Sequence, residues 1–312
     1  MSTNGLNLLH IAEHFSSEES ARNFLENSLW PDGPRCPHCE SRKAYKLTAK
    51  PDSKRPVRKG VYKCGECREQ YTVTVNTIFE NSHIPLNKWL LAIHLLCASK
   101  KGMSAHQLHR MLGITYKCAW FMAHRIRYAM TEEMRQKFSG VVECDETYVS
   151  GKGKTQFRGR ATGKTRTAVV SVVKRGGAAR SFPVTRVTGE NLSEIIRTNV
   201  DRTAHLCTDQ FASYKDIGFM FATHGTVNHG AGEYSRGYIH VNSAEGLFSI
   251  LKRGLTGVYH QVAQHHLHRY LAEFDFRYNT RKIGDGERTR IALRMVAGKR
   301  LTLREPSEQM AS

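Results

Sequence analysis

The chain has 312 residues, 40% of them hydrophobic, which is enough for two or three domains with buried cores and excludes global disorder. The 47 Lys and Arg outnumber the 28 Asp and Glu, and the formal charge of +19 predicts a polyanionic partner. Nucleic acid is the expected polyanion, with an anionic membrane surface as the alternative. The chain lacks both a bilayer-spanning apolar run and the start of a secretory signal, so we expect a cytoplasmic protein with reduced cysteines.

The N-terminal segment, residues 1–35, has the apolar spacing of one or two short helices with Ser16 and Ser17 as candidate caps. Pro31, Gly33 and Pro34 end it. The following residues, 36–82, contain four cysteines and strand-like runs such as Tyr71–Val75.

These cysteines form two C-x2-C pairs, Cys36 with Cys39 and Cys64 with Cys67, separated by 24 residues. Two such turns supply the four thiolates that a tetrahedral Zn²⁺ site requires. The separation slightly exceeds the usual ribbon spacing, and a basic loop from Lys50 to Gly60 accounts for the excess. Unrelated free thiols or a single redox pair are the alternatives. We expect a structural zinc ribbon, which by itself does not define a function.

The next segment, residues 83–135, has the proportions of a helix-turn-helix. Three helices are predicted, from Leu86 to Ser99, from Ala105 to Leu112, and from a Thr115 cap to about Met130. Its basic residues include three that we predict to bind DNA, namely Lys117, Arg125 and Arg127. An ordinary helical bundle with a solvated basic face is the alternative.

From residue 140 to residue 285 strand-like runs interleave with helical ones, which predicts a mixed α/β domain. The predicted strands are Val141–Tyr148, Thr167–Val173, Phe182–Val187 and Ala204–Thr208. The predicted helices are Leu192–Thr198, Ser243–Leu251 and, after a break near Gly254 and Gly257, Ala263–Tyr278. We expect residues 286–312 to be a loosely held basic and polar tail.

Acidic residues stand at informative places in this domain. Asp145 lies inside an apolar strand, where a carboxylate is unfavourable unless it is ligated or paired. Glu143 shares its strand face, and Glu146 faces the opposite side. Asp209 ends a later strand and Glu245 lies early in a helix. Taken singly, Asp145 could lie on an exposed edge strand, Asp209 could cap a helix, and Glu245 could be an ordinary surface residue.

Taken together, three separated carboxylates are what two-metal phosphodiester chemistry requires, because they can hold two cations ~3.5–4 Å apart. Mg²⁺ suits such a site, since it takes oxygen ligands and keeps water positions open for substrate.

The order of Asp145, Asp209 and, after 35 intervening residues, Glu245 resembles the D, D(35)E pattern of ribonuclease-H-like transposases and integrases. The surrounding residues resemble the ISXO-like group of bacterial insertion-sequence transposases from about residue 20 to about residue 285. The stretches that carry this likeness are CPHCES, WFMAHRIRYAM, DETYVSGKGK, TDQFASY, HVNSAEGLFSILKRGLTGVYH and HRYLAEFDFRYNTR.

The resemblance implies a zinc ribbon, a helical DNA-end-binding segment and a ribonuclease-H-like catalytic domain with a mixed sheet. Asp145, Asp209 and Glu245 would be the catalytic ligands of two Mg²⁺ ions, with Mn²⁺ as an alternative. Asn242 could replace or assist the third acid, and His240 would have a supporting role. The implied activity is cleavage at element ends followed by transfer of the 3′-hydroxyl to target DNA.

The implied partners are double-stranded terminal repeats and target DNA, bound by a dimer or larger homo-oligomer on the bacterial nucleoid. Further cations expected to bind DNA are Lys152, Lys154, Arg158 and Arg160 in a glycine-rich loop, and Lys252 and Arg253 after Glu245. The loop could instead be an ordinary flexible surface loop. The rival functions are a non-catalytic DNA-binding regulator, a nuclease that never joins ends, and an inactive relic.

Overall fold

A computed structural model describes residues 11, 15–48, 57–132, 136–149, 155–157, 160–162, 167–210, 214 and 217–302. The chain divides into two compact units. One contains Met1–Ser99, Ala105–Met130 and Ile283–Ser312, and the other contains Lys100–Ser104 and Thr131–Lys282. The predicted ribbon and the predicted helix-turn-helix therefore belong to one unit.

The first unit combines a small antiparallel sheet with helices. Its elements up to residue 130 are α1 (Glu18–Leu29), β1 (Ala44–Lys46), β2 (Tyr62–Cys64), β3 (Gln70–Tyr71), α2 (Leu86–Ala98), α3 (Ala105–Leu112) and α4 (Tyr116–Ala129). Ser17 caps α1 in a reciprocal capping box with Ser20. The Thr115 hydroxyl accepts the Cys118 N–H at 3.2 Å and starts α4. Gly113, with φ +57°, lies in the three-residue turn between α3 and α4, so the predicted helix-turn-helix proportions are confirmed.

The predicted strand from Tyr71 to Val75 is wrong beyond Tyr71. The Val75 N–H donates to the Thr72 carbonyl at 3.1 Å, and the hydroxyls of Thr72 and Thr74 lie 2.8 Å apart. Asn76 then adopts φ +56°. Threonine side chains that bond locally favour a turn over a sheet ladder, even in an alternating pattern.

The second unit is built on a mixed sheet. Its elements are β4 (Val141–Val149), β5 (Thr155–Phe157), β6 (Arg160–Thr162), β7 (Thr167–Lys174), β8 (Ala179–Val184), α5 (Gly189–Asn199), β9 (His205–Asp209), β10 (Thr223–Val227), α6 (Asn242–Gly254) and α7 (Leu267–Asn279). Five strands lie in the order β10–β9–β4–β7–β8, and β5 pairs with β6 in a separate hairpin. β9 runs parallel to β4 and β10, whereas β7 is antiparallel to β4 and β8. The predicted mixed α/β fold class is confirmed.

The central strands are buried on both faces. Val142, Cys144, Val170 and Val172 pack with Leu192 and Ile196 of α5. Alternate residues of the same strands, such as Val149, Val169 and Val173, pack with Leu247, Leu251 and Phe274 of α6 and α7. Because side chains alternate along a strand, the odd-numbered residues of β4 face the α6–α7 layer.

Two details of this unit differ from expectation. β10 was not predicted, because Thr223-His-Gly-Thr-Val227 lacks apolar alternation. α6 does not break at Gly254 or Gly257 but continues into a π-helical turn, Leu255–Tyr259, and the chain turns at His260 with φ +57°. Gly254 is required there by packing, since an added Cβ would lie 2.3 Å from the Phe274 ring.

Residues 286–312 were expected to form a loose tail, and the part described, up to Thr302, does not. α8 (Asp285–Arg294) packs on α2 within the first unit. His94 Nδ1 lies 2.9 Å from the Thr289 hydroxyl, and Arg288 donates to the Cys97 carbonyl at 2.9 Å. Val296 is fully buried, so apolar residues among the cations anchor this segment. In the part of the chain that is described, no helix has the length and apolar character needed to cross a bilayer.

The close packing at Gly254 predicts a stability difference between two glycines of α6. We expect Gly254→Ala to destabilise the protein by about 1–3 kcal/mol, because the methyl group collides with Phe274 and the Lys101 carbonyl. Gly246→Ala is the matched control: its Cβ would meet nothing within 4 Å, so it should stabilise α6 by about 0.5–1 kcal/mol. Urea unfolding of both variants measures this, and equal midpoints would contradict the packing.

Candidate functional site

The four ribbon cysteines converge on one point. Their sulfur atoms all lie within 4.8 Å of one another. The Cys36 and Cys67 sulfurs are 3.6 Å apart, as are those of Cys39 and Cys64. Zinc–thiolate bonds of about 2.3 Å in a tetrahedron place sulfurs about 3.8 Å apart, so the quartet fits Zn²⁺.

The two halves of the quartet repeat one backbone geometry. The residue after each second cysteine is left-handed, Glu40 with φ +61° and Arg68 with φ +66°. In the first half the Glu40 N–H returns to the Cys36 carbonyl at 2.9 Å. Although burial opposes it, N–H donors from Cys67 and Glu66 lower the pKa of the Cys64 thiol to about 6, whereas, against an N–H donor from Glu69, burial and the neighbouring thiols raise the pKa of Cys67 to about 12. A thiolate is the form that a metal ligand needs.

Three acidic residues of the second unit, Asp145, Asp209 and Glu245, lie towards one face of the sheet. Val141 pairs with His205 and Glu143 with Cys207 across β4 and β9. Continuing this register by two residues places Asp145 opposite Asp209, on strands about 4.8 Å apart. Both face the layer that contains α6, and Glu245 lies in the first turn of α6.

The electrostatics show that these acids are close enough to repel one another. Burial, followed by the charges of Glu146, Asp209 and Glu245, raises the pKa of Asp145 to about 7. Burial also raises the pKa of Glu146, with a further contribution from the charge of Asp209. Glu146 lies on the opposite side of β4, as predicted, where the Tyr214 hydroxyl donates to it at 2.7 Å. A cation among these oxygens would relieve the repulsion.

The acids do not form a closed cluster like that of the cysteines. Among the described residues, the cysteine quartet is the only group of three or more candidate ligands whose atoms all lie within 4.8 Å of one another. Glu245 is 48% exposed at its side chain, with His229 Nε2 3.8 Å from its carboxylate. This arrangement is an open face lined by oxygen ligands.

Glu143 is a buried acid whose part in the site was not predicted. Its side chain is fully buried and accepts hydrogen bonds from Arg175, Ser243 and Ala244. His240, predicted to support the site, lies beside it with Nδ1 3.3 Å from the carboxylate. The signal available in the sequence was the alternation of Glu143 and Asp145 within an apolar strand. Asn242 is the first residue of α6 and is exposed.

Two of the cations predicted to bind DNA are buried, and this part of the prediction is wrong. Arg125 is 7% exposed and donates to the carbonyls of Ile78, Glu80 and Leu301. Arg127 is 2% exposed. The Arg125 guanidinium, which serves backbone carbonyls inside the fold, cannot reach phosphates, and burial excludes Arg127 in the same way. Lys117, in the first turn of α4, is exposed.

The remaining predicted cations divide into two groups. Lys252 and Arg253 are exposed in the last turn of α6. Lys152, Lys154 and Arg158 lie outside the described residues, and of Arg160 only the backbone is described, in β6.

The fold and these sites define a class of protein that combines a four-cysteine ribbon with an acid-bearing mixed-sheet domain. A family model described as the ISXO2-like transposase domain matches residues 137–279, and one described as the transposase zinc-ribbon domain matches residues 16–70. The chain is 28% identical over 278 residues to an uncharacterised protein in transposable element ISH50 of Halobacterium salinarum. That alignment covers 84% of this chain and 91% of the relative.

The two models together match more than half of the chain, in the order that the resemblance implied. Residues 137–279 therefore form an ISXO2-like transposase domain, preceded at residues 16–70 by a transposase zinc-ribbon domain.

The quartet predicts one bound Zn²⁺ per chain that holds the ribbon together. Cys39→Ser removes one of four ligands, so we expect the zinc to be lost and the Trp30, Tyr62 and Tyr71 ring cluster to lose its near-ultraviolet dichroism. Cys118→Ser is the control, because Cys118 is exposed in α4 and away from the quartet. Metal content of the desalted proteins measures the effect, and a full equivalent of zinc in Cys39→Ser would refute the assignment.

Proposed function

We propose that this transposase binds the ends of its element, hydrolyses phosphodiester bonds there and transfers the freed 3′-hydroxyls to target DNA. Asp145, Asp209 and Glu245 are the proposed catalytic residues. The observation that carries this proposal is the parallel pairing of Glu143 with Cys207 in β4 and β9. Continued by two residues, this register would bring Asp145 opposite Asp209, on the face covered by the helix of Glu245.

The donor set fits Mg²⁺, with Mn²⁺ as a substitute, because it offers only carboxylate oxygens on an open face. The raised pKa of Asp145 supports the same idea: burial, followed by the charges of neighbouring acids, disfavours its ionised form, and a divalent cation would offset both effects. When bound, two such cations would activate the attacking oxygen and stabilise the leaving one. The carboxylates of Asp145, Asp209 and Glu245 would hold and orient them, and no protein nucleophile would be needed.

The DNA-binding surface that we propose differs from the one predicted from charge. In a helix-turn-helix, the N-terminal residues of the second helix contact base edges in the major groove. In α4 these are Tyr116 and Lys117, and both are exposed. Arg110 at the end of α3 is also exposed and can reach the DNA backbone. Lys252 and Arg253 are proposed to contact phosphates near the acids.

The proposed partners are double-stranded terminal repeats and target DNA. Pairing two ends requires at least two copies of the chain, so we propose a dimer or larger oligomer on DNA. Joining two ends to one target would then occur within a single assembly.

Neutralising each acid in turn tests the catalytic assignment. We expect Asp145→Asn, Asp209→Asn and Glu245→Gln each to slow Mg²⁺-dependent cleavage of element-end DNA by at least about 100-fold, because each removes a ligand worth several kcal/mol of transition-state stabilisation. Folding and end binding should persist, since each change removes a repelled charge. Asn242→Ala shows whether the neighbouring amide is needed as well.

The same assay distinguishes the rival functions. Wild-type cleavage without joining to a target plasmid would indicate a nuclease. End binding with no cleavage by the wild type would indicate a regulator or a relic. Cleavage retained in all three acid variants would show that the assigned residues are wrong.

The exposed start of α4 gives a separate prediction for DNA binding. Lys117→Ala should weaken binding to end DNA more than binding to unrelated DNA, because it removes a side chain placed to contact base edges. Arg290→Ala is the matched control, since it removes an exposed arginine of α8 that pairs with Glu287. Fluorescence anisotropy with end DNA and with unrelated DNA measures both variants. Equal losses in the two variants would indicate a general charge effect and not a contact from α4.

A further inference from the structure

Helix α6 has no N-terminal cap of its own. Its N-cap position is Val241, whose side chain cannot accept a hydrogen bond, and no side-chain cap is formed there. A helix begins with N–H groups that lack intrahelical partners, and leaving them unpaired in a buried position is unfavourable. Ala244 in this first turn is fully buried, so water is not available to replace a cap.

The cap comes instead from strand β4. Glu143 Oε2 accepts the N–H of Ser243 at 2.7 Å and that of Ala244 at 3.2 Å. Glu143 Oε1 accepts the Ser243 hydroxyl at 3.0 Å. A carboxylate at the start of a helix is also favoured by the helix dipole. The Glu143 carboxylate on strand β4 therefore fixes the position and orientation of the first turn of α6.

A second set of bonds fixes the segment that leads into α6. Arg175 donates to Glu143 Oε1 at 2.7 Å and compensates its buried charge. The same guanidinium donates to the carbonyls of Tyr238 at 2.6 Å and His240 at 3.1 Å. The entry to α6 and its first turn are thus tied to one ion pair on the sheet.

This arrangement links two of the proposed catalytic acids. Glu245 follows Ala244 directly, and Asp145 lies two residues beyond Glu143 on the same strand face. We propose that Glu143 is a positioning residue: it sets the distance between the Glu245 and Asp145 carboxylates and so prepares them to bind divalent cations. This inference rests on the proposed function of the same site. Glu143 itself is not a cation ligand, because its oxygens are already occupied by donors.

A buried acid could also act only through stability, so the test needs a matched acid elsewhere. Asp275 of α7 is such a residue: it accepts the Ser181 N–H and hydroxyl, both at 2.7 Å, and ties α7 to β8. It is not among the residues that bond the start of α6. Asp275→Asn should therefore change the melting temperature without changing cation affinity.

The test compares wild type, Glu143→Gln, Asp275→Asn and Asp145→Asn in the full-length zinc-loaded protein. Mn²⁺ binding is titrated without DNA by the loss of free-ion electron paramagnetic resonance signal. Amide exchange is measured at residues 243–246, and the Mg²⁺ concentration for half-maximal cleavage is measured on end DNA. We expect Glu143→Gln to weaken Mn²⁺ binding about 10- to 100-fold, as changes to groups that orient metal ligands do. Exchange at residues 243–246 should quicken, and end-DNA affinity should stay unchanged.

Wild-type Mn²⁺ affinity in Glu143→Gln, with binding lost in Asp145→Asn, would overturn the positioning role and leave the proposed function standing. An equal loss in Asp275→Asn would also overturn it, since general destabilisation would then explain both. No specific Mn²⁺ binding by the wild type, together with no cleavage, would instead defeat the proposed function. Should Glu143→Gln not fold, Ser243→Ala removes a single donor to Glu143 and is expected to weaken binding a few-fold; unchanged affinity there overturns the proposal.

Discussion

The second unit depends on holding mutually repelling carboxylates close together at strand β4 and its neighbours. Asp145 and Asp209 sit on neighbouring strands, and Glu146 and Glu245 add their charges. Such an arrangement is unfavourable by itself and must be supported by the rest of the fold. The apolar layers on both faces of β4 and β7 supply that support, since four valines of β7 are fully buried. Strands that are packed on both sides cannot slide apart to relieve the repulsion.

The ribbon solves the opposite problem, because too little apolar surface is available to define its shape. Its buried cluster consists of two cysteines, Tyr62 and Tyr71, with Trp30 packed against them. A core of this size is too small to hold three strands of two or three residues in place. The four metal ligands therefore hold the strands of the ribbon in place, as the buried valines hold the strands of the sheet. In the sheet, packed apolar strands hold repelling carboxylates together. In the ribbon, the four thiolates are held together as ligands of one metal ion.

Periodicity and residue spacing were sufficient to predict several helices and strands, but not the tertiary contacts around them. The bounds of α2, α3 and α4 follow from apolar spacing and from the glycines and threonines at the helix ends, and β4 and β7 follow from runs of β-branched residues. β10 could not be predicted, because it gains its place by pairing with β9 and not by its own composition. Charge alone could not distinguish Lys117, which faces solvent, from the buried Arg125, whose guanidinium serves three backbone carbonyls. The order of the three acids could be recognised in the sequence. Their supporting contacts could not, because they join residues about 100 positions apart, such as Glu143 and Ser243.

The different environments of Glu143 and Glu245 show how a single helix start can use two carboxylates in different ways. Glu143 is fully buried, with both oxygens accepting donors from the helix and from Arg175. Glu245, in the first turn of the helix, keeps about half of its side chain in solvent. A carboxylate whose lone pairs are all engaged in a buried network has little to offer a cation, and breaking that network would expose an unpaired charge. An exposed carboxylate in the first turn of a helix keeps its oxygens available to a cation. The number of hydrogen bonds that each carboxylate already accepts, more than its charge or its position in the sequence, therefore distinguishes the two acids. Glu143 supports the structure of the site, whereas Glu245 has oxygens available to bind a cation.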